Sequence, residues 1–351
     1  MRLLALSLCI LPLYGSSFQY REALPGYAFH FPRDHFEHQG FRTEWWYYTG
    51  NVMAEGGERF GFELVFFRRG ERHPPQTDSA WSVQDVYLAD AALTDAHGRR
   101  FLYEERLNRS GPGIAGASFD QRRIWNGNWS VQWQGETQTL DALTDRFRFH
   151  LQLTPQKPFV IHGENGVSQK AEGAGRASHY ISFPLLSVSG TINSSNVKGT
   201  AWMDHEFFTE QLSPDQLGWD WFSIQLDNNT ELMLFELRRK DGTIDPYSAG
   251  TFIDAQGRAK HLKRGDFTLQ PLSLWHKYPV AWRIRVPALN IDLTSHAVLE
   301  DQELRSKQSG PSYWEGAVDY SGTQHANTQH ANTQRGVGYI EMTGYEGQVQ
   351  F

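Results

Sequence analysis

The sequence predicts an all-β protein of two domains, each a barrel or a sandwich. Three observations lead there. Strand-like runs, roughly fifteen of them, recur about every ten residues between clusters of Gly, Asn, Asp and Pro. Long helical periodicity is scarce, and the helix candidates are short, such as Pro214–Leu217. At 351 residues the chain exceeds a typical single-domain length.

The N-terminus carries one basic residue, Arg2, then an apolar run from Leu3 to Tyr14 and the small residues Gly15, Ser16 and Ser17. Residues 1–17 are expected to be a cleaved secretory signal, so the protein is expected to be secreted or periplasmic. The run is too short for a stable bilayer anchor. Cys9, the one cysteine, lies inside it after Leu8 and is not read as a lipid attachment site. The mature chain would therefore lack disulfides and thiol chemistry. A net charge of −7 with no basic patch argues against a nucleic acid partner.

The segment FRTEWWYYTGN, from Phe41 to Asn51, sets one carboxylate, Glu44, before four consecutive aromatics. It is too aromatic for a helix and too short for a membrane span, so it reads as a strand. Alternation then groups Glu44, Trp46 and Tyr48 on one face and Trp45 and Tyr47 on the other. Arg59–Arg69 alternates Phe60, Phe62, Leu64 and Phe66, and the Glu55–Glu58 turn makes it a hairpin with Glu44–Val52. Further strands are expected at Trp81–Ala91, Arg99–Glu104, Asn128–Trp133, Arg146–Leu153 and Phe159–Ile161. The second half continues with Ser178–Phe183, Leu186–Thr191, Lys198–Asp204, Trp219–Asp227 and Glu231–Arg239. Gly250–Asp254, Ala281–Val286, Asn290–Thr294, Trp314–Ser321 and Gly338–Gly344 complete the series. The domains are expected at 27–190 and 191–351.

Two hairpins share a pattern. Glu44 leads an aromatic strand whose partner ends in Arg68-Arg69, and Asp220 leads one whose partner ends in Arg238-Arg239. Either a duplication or two similar amphipathic hairpins would explain it. Gln324–Gln334 is a tandem QHANT repeat, read as a solvated loop rather than a metal site at His325 and His330.

Three constellations carry chemistry. In GTAWMDHEFF, Trp202 and Asp204 share a face while His205 points away, so adjacent Asp204, His205 and Glu206 cannot converge on one metal ion. No metal and no cofactor is expected. Asp204 reads as a buried acid and His205 as its helper, with a satisfied polar cluster as the bland alternative. In GWDWF, Trp219 and Trp221 form a flat apolar wall opposite Asp220, suited to core packing, to a flat or polyene ligand, or to a cation in transit. SHY adds His179 and Tyr180 as proton donors or loop anchors. No serine-nucleophile elbow, phosphate-binding glycine loop or dinucleotide fingerprint is present.

FRTEWWYYTGN, SHYISFPLLSVSGTI, GTAWMDHEF, GWDWFSIQL and GYIEMTGY occur in that order between Tyr27 and Tyr345. Together they resemble the lipocalin-like AttH and carotenoid 1,2-hydratase family, in its secreted "predicted hydrolase" branch. The resemblance implies two lipocalin-like β-barrel or sandwich domains packed together. It also implies activities such as hydration of carotenoid double bonds, with pericyclic ring formation in fungal relatives. The repeat at 324–334 is longer than the family's connection there.

Hydration of an isolated alkene starts with protonation and passes through a carbocation. That chemistry needs a carboxylic acid kept neutral by burial, aromatic faces near the cation, and a base for water. Asp204 is the expected acid, His205 its helper and Glu44 the alternative acid. Trp46, Trp219 and Trp221 are expected to line the cavity, with Tyr48, His179, Tyr180, Trp202 and Asp220 also at the ligand. The expected partner is a hydrophobic small molecule, with peripheral membrane contact left open as its source. The leading expectation is a hydratase-like lyase; the alternative is a carrier of apolar ligands in envelope stress.

Overall fold

The computed structural model describes residues 18–71, 79, 81–307, 312–325 and 331–349. The expected signal, residues 1–17, and residues 326–330 with His330 lie outside them.

Among the described residues the regular structure is almost all strand. In the first half β1 (Thr43–Ala54), β2 (Arg59–Gly70), β3 (Asp85–Asp95) and β4 (Arg100–Arg109) form a meander. There follow β5 (Ala115–Ser118), β6 (Arg123–Asn126), β7 (Trp129–Gln134), β8 (Thr137–Leu143) and β9 (Arg148–Pro155). Short β10 (Val160–Ile161) and β11 (Ser168–Gln169) precede the long hairpin β12 (Ala177–Ile192) and β13 (Ser195–Phe208). The order β4-β3-β2-β1-β13-β12-β9-β8-β7-β6-β5 gives a nearly closed barrel. The seam is stitched by Asn126, which donates to the Tyr87 carbonyl at 3.1 Å and accepts from Asn108 at 2.6 Å.

The second half holds β14 (Gln216–Leu226), β15 (Glu231–Arg239), β16 (Ala249–Ile253), β17 (Ala259–Lys263) and β18 (Thr268–Trp275). It ends with β19 (Tyr278–Val286), β20 (Ile291–Ala297), β21 (Glu303–Leu304), β22 (Tyr313–His325) and β23 (Ala331–Met342). The order β17-β16-β15-β14-β23-β22-β20-β19-β18 makes a half-barrel. These are two lipocalin-like units, and among the described residues there is no α-helix; none is long and apolar enough to cross a membrane.

Several expectations shift. The boundary at 190/191 falls inside the β12–β13 hairpin, because β13 pairs with β1 and closes the first barrel; the sheets change between Phe208 and Gln216. Pro214–Leu217 is a turn leading into β14, not a helix. Ser178–Phe183 and Leu186–Thr191 are one strand with a bulge at Pro184, where the missing N–H breaks the ladder. The QHANT repeat is not simply a loop, since Gln324 pairs with Asn332 and His325 with Ala331.

Alternation fixes which residues meet. Trp46, Tyr48, Phe62 and Leu64 fill the first barrel, and Phe222, Ile224, Leu232 and Leu234 fill the second unit. The opposite faces of the same strands pack together, with Trp45, Tyr47 and Val65 against Trp221, Met233 and Phe235. Gly61 marks a closest approach: a Cβ there would lie 2.6 Å from both Ala317 and the Tyr339 hydroxyl. The sheets therefore join through an aromatic layer, and the site lies in that layer.

Candidate active site

Between the two units is a narrow cleft with about 50 Å³ of free space, partly open to solvent. One wall comes from β1, β2 and β13, with Trp45, Tyr47, Phe67, Asp204 and Glu206. The facing wall comes from β14, β15 and β23, with Trp219, Trp221, Phe235 and Glu341. The walls are keyed by ring pairs across the junction. Trp45 stacks on Trp219 at 6.4 Å, and Tyr47 meets Trp221 edge-on at 5.3 Å. A second, wider space of about 380 Å³ shares Phe67, Trp219 and Glu341 with the first and is lined further by Val86, Leu88 and Leu107.

Asp204 sits at the inner end of the cleft, 3% exposed. It is pinned between β1 and β12, opposite Tyr47 on one side and Ser182 on the other. Its Oδ1 accepts from Trp202 Nε1 at 2.6 Å and from the Ser182 hydroxyl; its Oδ2 accepts from the Tyr180 hydroxyl at 2.7 Å. Trp221 Nε1 donates to that same Tyr180 oxygen at 2.9 Å, tying the second unit to the acid. Burial pushes the Asp204 carboxyl up to about 7 despite the Ser182, Tyr180 and Trp202 donors, and nearby Glu206 adds to the rise.

The neighbouring acids differ in their partners. Glu206 lies 3.6 Å from Lys170 Nζ and accepts from Ser178 and from Gln211 Nε2 at 3.2 Å. Burial raises it, and Lys170 opposes the rise. Glu341 accepts from Trp219 Nε1 at 2.7 Å; burial lifts it to about 8, with that indole bond opposing. Farther along the junction the Tyr313 hydroxyl lies 2.9 Å from Asp90 and 3.1 Å from Glu63, while Tyr47 donates to Glu315. Burial raises all three of these carboxyls as well.

The expected site residues divide by face. Asp204, Trp219 and Trp221 line the cleft, and Tyr180 and Trp202 hold Asp204 from behind. Glu44, His205, Trp46 and Tyr48 do not belong to it, because strand alternation turns them into the first barrel. There Glu44 accepts from His38 Nδ1 at 2.7 Å, His205 Nε2 at 2.8 Å and Arg68 Nε at 3.0 Å. Burial alone would raise Glu44, but His38, His205 and Arg68 win and hold it well below the usual carboxylate range. Glu44 is thus a charged anchor for the N-terminal segment, and His205 is its partner rather than a helper of Asp204. His38, Glu44 and His205 lie close enough to hold a cation. The Arg68 charge on the same carboxylate opposes one.

Asp220 also turns inward, pairing with Arg238 at 3.0 Å and Tyr345 at 3.0 Å inside the second unit. The two hairpins therefore repeat an acid–arginine pair within and an aromatic face outside. His179 packs against Tyr27 at 4.4 Å with Nδ1 2.7 Å from the Gly166 carbonyl, away from the cleft. Tyr47, Glu206, Glu341 and Lys170 were missed. Tyr47 and Glu206 had a local signal, since they share the faces of Trp45 and Asp204; Glu341 and Lys170 arrive from distant strands and loops.

The AttH-like family model matches residues 22–345. The crystal structure of an AttH protein from Nitrosomonas europaea is 32% identical, covering 93% of this chain and 99% of that one with a TM-score of 0.80. Kievitone hydratase from Nectria haematococca has the same fold at 14% identity, with a TM-score of 0.66 over 93% of this chain and 98% of that one. A comparison with curated proteins found no match. The cleft between two lipocalin-like units, built on strands that carry the motifs singled out above, thus belongs to a member of the AttH-like family.

Proposed function

We propose that the cleft is the acid site of a hydratase-like lyase acting on an apolar isoprenoid or other lipid-like alkene. One observation carries this reading: Asp204 is buried against indole rings with no cation in contact, so it stays protonated up to about pH 7 while lining a space open to ligand. Its Oδ2 has only Tyr180 as a partner, whereas Oδ1 holds two donors, so Oδ2 is the oxygen free to carry and give the proton.

In this mechanism the Asp204 proton goes to an alkene carbon. Trp45, Trp219 and Trp221 offer π faces to the resulting cation, each worth up to about 2 kcal/mol when desolvated. Glu206 is the base. Lys170 beside it favours its ionised form, so it can take a proton from the water that adds to the cation. The two acids differ in surroundings: only Glu206 has a cation as neighbour. The wider apolar space beyond Trp219 suits the body of an elongated substrate. Fold likeness to kievitone hydratase is consistent with this chemistry but does not name the substrate.

That wider space also suits a carrier, and one experiment separates the two. Material that co-purifies with the protein is identified by mass spectrometry, and the alkene found is incubated with wild type and Asp204→Asn. The hydratase reading expects a hydroxylated product and a loss of about 10²–10⁴-fold in the variant with binding intact. Unchanged ligand from both proteins favours the carrier, and full turnover in the variant removes Asp204 from the chemistry.

A further inference from the structure

Behind Asp204, on the side away from the cleft, a row of buried groups has no part in the mechanism above. His162 follows β10, is 1% exposed and stacks on Tyr180 with ring centroids 4.3 Å apart. Its Nε2 lies 2.6 Å from Ser182 Oγ, and its Nδ1 lies 2.8 Å from Thr251 Oγ1 on β16 of the second unit. Ser182 Oγ in turn donates to Asp204 Oδ1.

The valences of these groups give the row one direction. Ser182 has a single hydroxyl proton, and it is committed to Asp204. Its oxygen must then accept from His162, so Nε2 carries the imidazole proton. Nδ1 is left as an acceptor, and the Thr251 hydroxyl supplies its proton. Every donor in the row aims toward Asp204. Burial, with Lys170 and His261 adding to it, keeps the imidazole uncharged. A neutral imidazole can receive at one nitrogen while giving at the other.

Beyond Thr251, itself buried, the row approaches the surface at partly exposed His261. Thr251 is paired with His261 on β17, so their side chains lie on one face of the sheet. His261 is half-buried, near Glu164 and Lys263, and its Nδ1 has no hydrogen-bond partner.

We infer that Ser182, His162 and Thr251 are a proton wire that recharges Asp204 from the rear, drawing on solvent water beside His261. The inference rests on Asp204 as the acid. After Asp204 gives its proton to an alkene carbon, the carboxylate takes the Ser182 hydroxyl proton. Ser182 takes the proton from Nε2, and Nδ1 takes the proton of Thr251. Water beside His261 restores Thr251, leaving hydroxide that the proton released from Glu206 neutralises. Each group ends with as many protons as it began with, and His162 changes only its tautomer. The hydroxyls and the carboxyl then turn to restore the first pattern. A ligand that fills the cleft would bar water from the front of Asp204, and the wire keeps the acid supplied without opening the cleft.

The test needs no substrate. At pH 5.5 the infrared carbonyl band that disappears in Asp204→Asn reports the protonated acid, and its shift on transfer to heavy water times the exchange of its proton. With the cleft filled by a saturated hydrocarbon, hexadecane, that bars water from the front of Asp204, Ser182→Ala and Thr251→Val should keep the band, at a lowered thermal midpoint, but slow exchange by about tenfold or more. Exchange at the wild-type rate in both folded variants overturns the wire. Nitrogen-15 spectra of wild-type His162 give a second measurement that needs no variant: the wire requires the Nε2–H tautomer, and an Nδ1–H tautomer or an imidazolium at that pH overturns it. A failed hydration assay would remove the hydratase and leave both readouts standing, so the two ideas fail separately.

Discussion

Glu44 and Asp204 lie on adjacent strands of one sheet, three register positions apart, and both are almost fully buried. Their carboxyls are shifted in opposite directions. Glu44 faces into the first barrel, where His38, His205 and Arg68 keep it ionised. Asp204 faces the junction, where hydroxyls and indoles bond it without a positive charge in contact. Burial is common to both. What separates them is the presence of a cation within hydrogen-bond reach.

The sharpest way to break this contrast is Glu44→Gln. It removes one of the two carboxylates on buried Arg68, which keeps Asp85 at 2.8 Å, and should lower unfolding free energy by about 2–3 kcal/mol in denaturant titration. A loss under about 1 kcal/mol would mean that the pair is no anchor. Asp204→Asn replaces one neutral group by another below pH 7 and should cost about 1 kcal/mol or less at pH 5.5.

The two acids also predict opposite responses to pH. Asp204 titrates near 3.8 when unfolded and near 7 when folded, so its stabilisation is full below about pH 3.8 and is lost as pH rises through 7. Asp90, raised to about 7, and Glu341, raised to about 8, act in the same sense. Stability should therefore fall as pH rises from about 4 to about 8, each raised group contributing at most about 1.4 kcal/mol per unit. Asp204→Asn should flatten that slope. Glu44 works the other way: its contribution is present above its unfolded value of 4.5 and is lost only in stronger acid. A slope unchanged in the variant would show that Asp204 is already ionised in the folded protein.

Smaller effects refine the junction. Gly61→Ala pushes a methyl against Ala317 and Tyr339 and should cost about 1–3 kcal/mol, seen as a lower thermal midpoint. Trp219→Phe keeps a ring in the cleft but removes the donor to Glu341, for about 0.5–1.5 kcal/mol and a further rise of the Glu341 carboxyl.

Local pattern carried much of this. Alternation correctly separated Glu44, Trp46 and Tyr48 from Trp45 and Tyr47, and it paired Trp202 with Asp204. It could not say which face would become the cleft. The cluster of Glu44 beside aromatics therefore looked like a site, although it serves the barrel interior. The same limit applied to GWDWF, whose Trp219 and Trp221 reach the cleft while Asp220 does not. Glu341 and Lys170 were invisible because their neighbours are set by strand order, and β23 meets β14 only after a long excursion. The hairpin of β12 and β13 crossed the expected boundary for a similar reason: its partner β1 lies far upstream.

Asp204 occupies the middle of a strand hydrogen-bonded on both edges, opposite Tyr47 and Ser182. Its backbone cannot swing toward different guests. The opposing wall belongs to a separate sheet, and its side chains can change in size without disturbing the ladder that holds the acid. Such an arrangement divides reactivity from taste. New substrates would be acquired by resculpting the far wall around Trp219, Trp221 and Phe235, while the reactive carboxyl stays where it is.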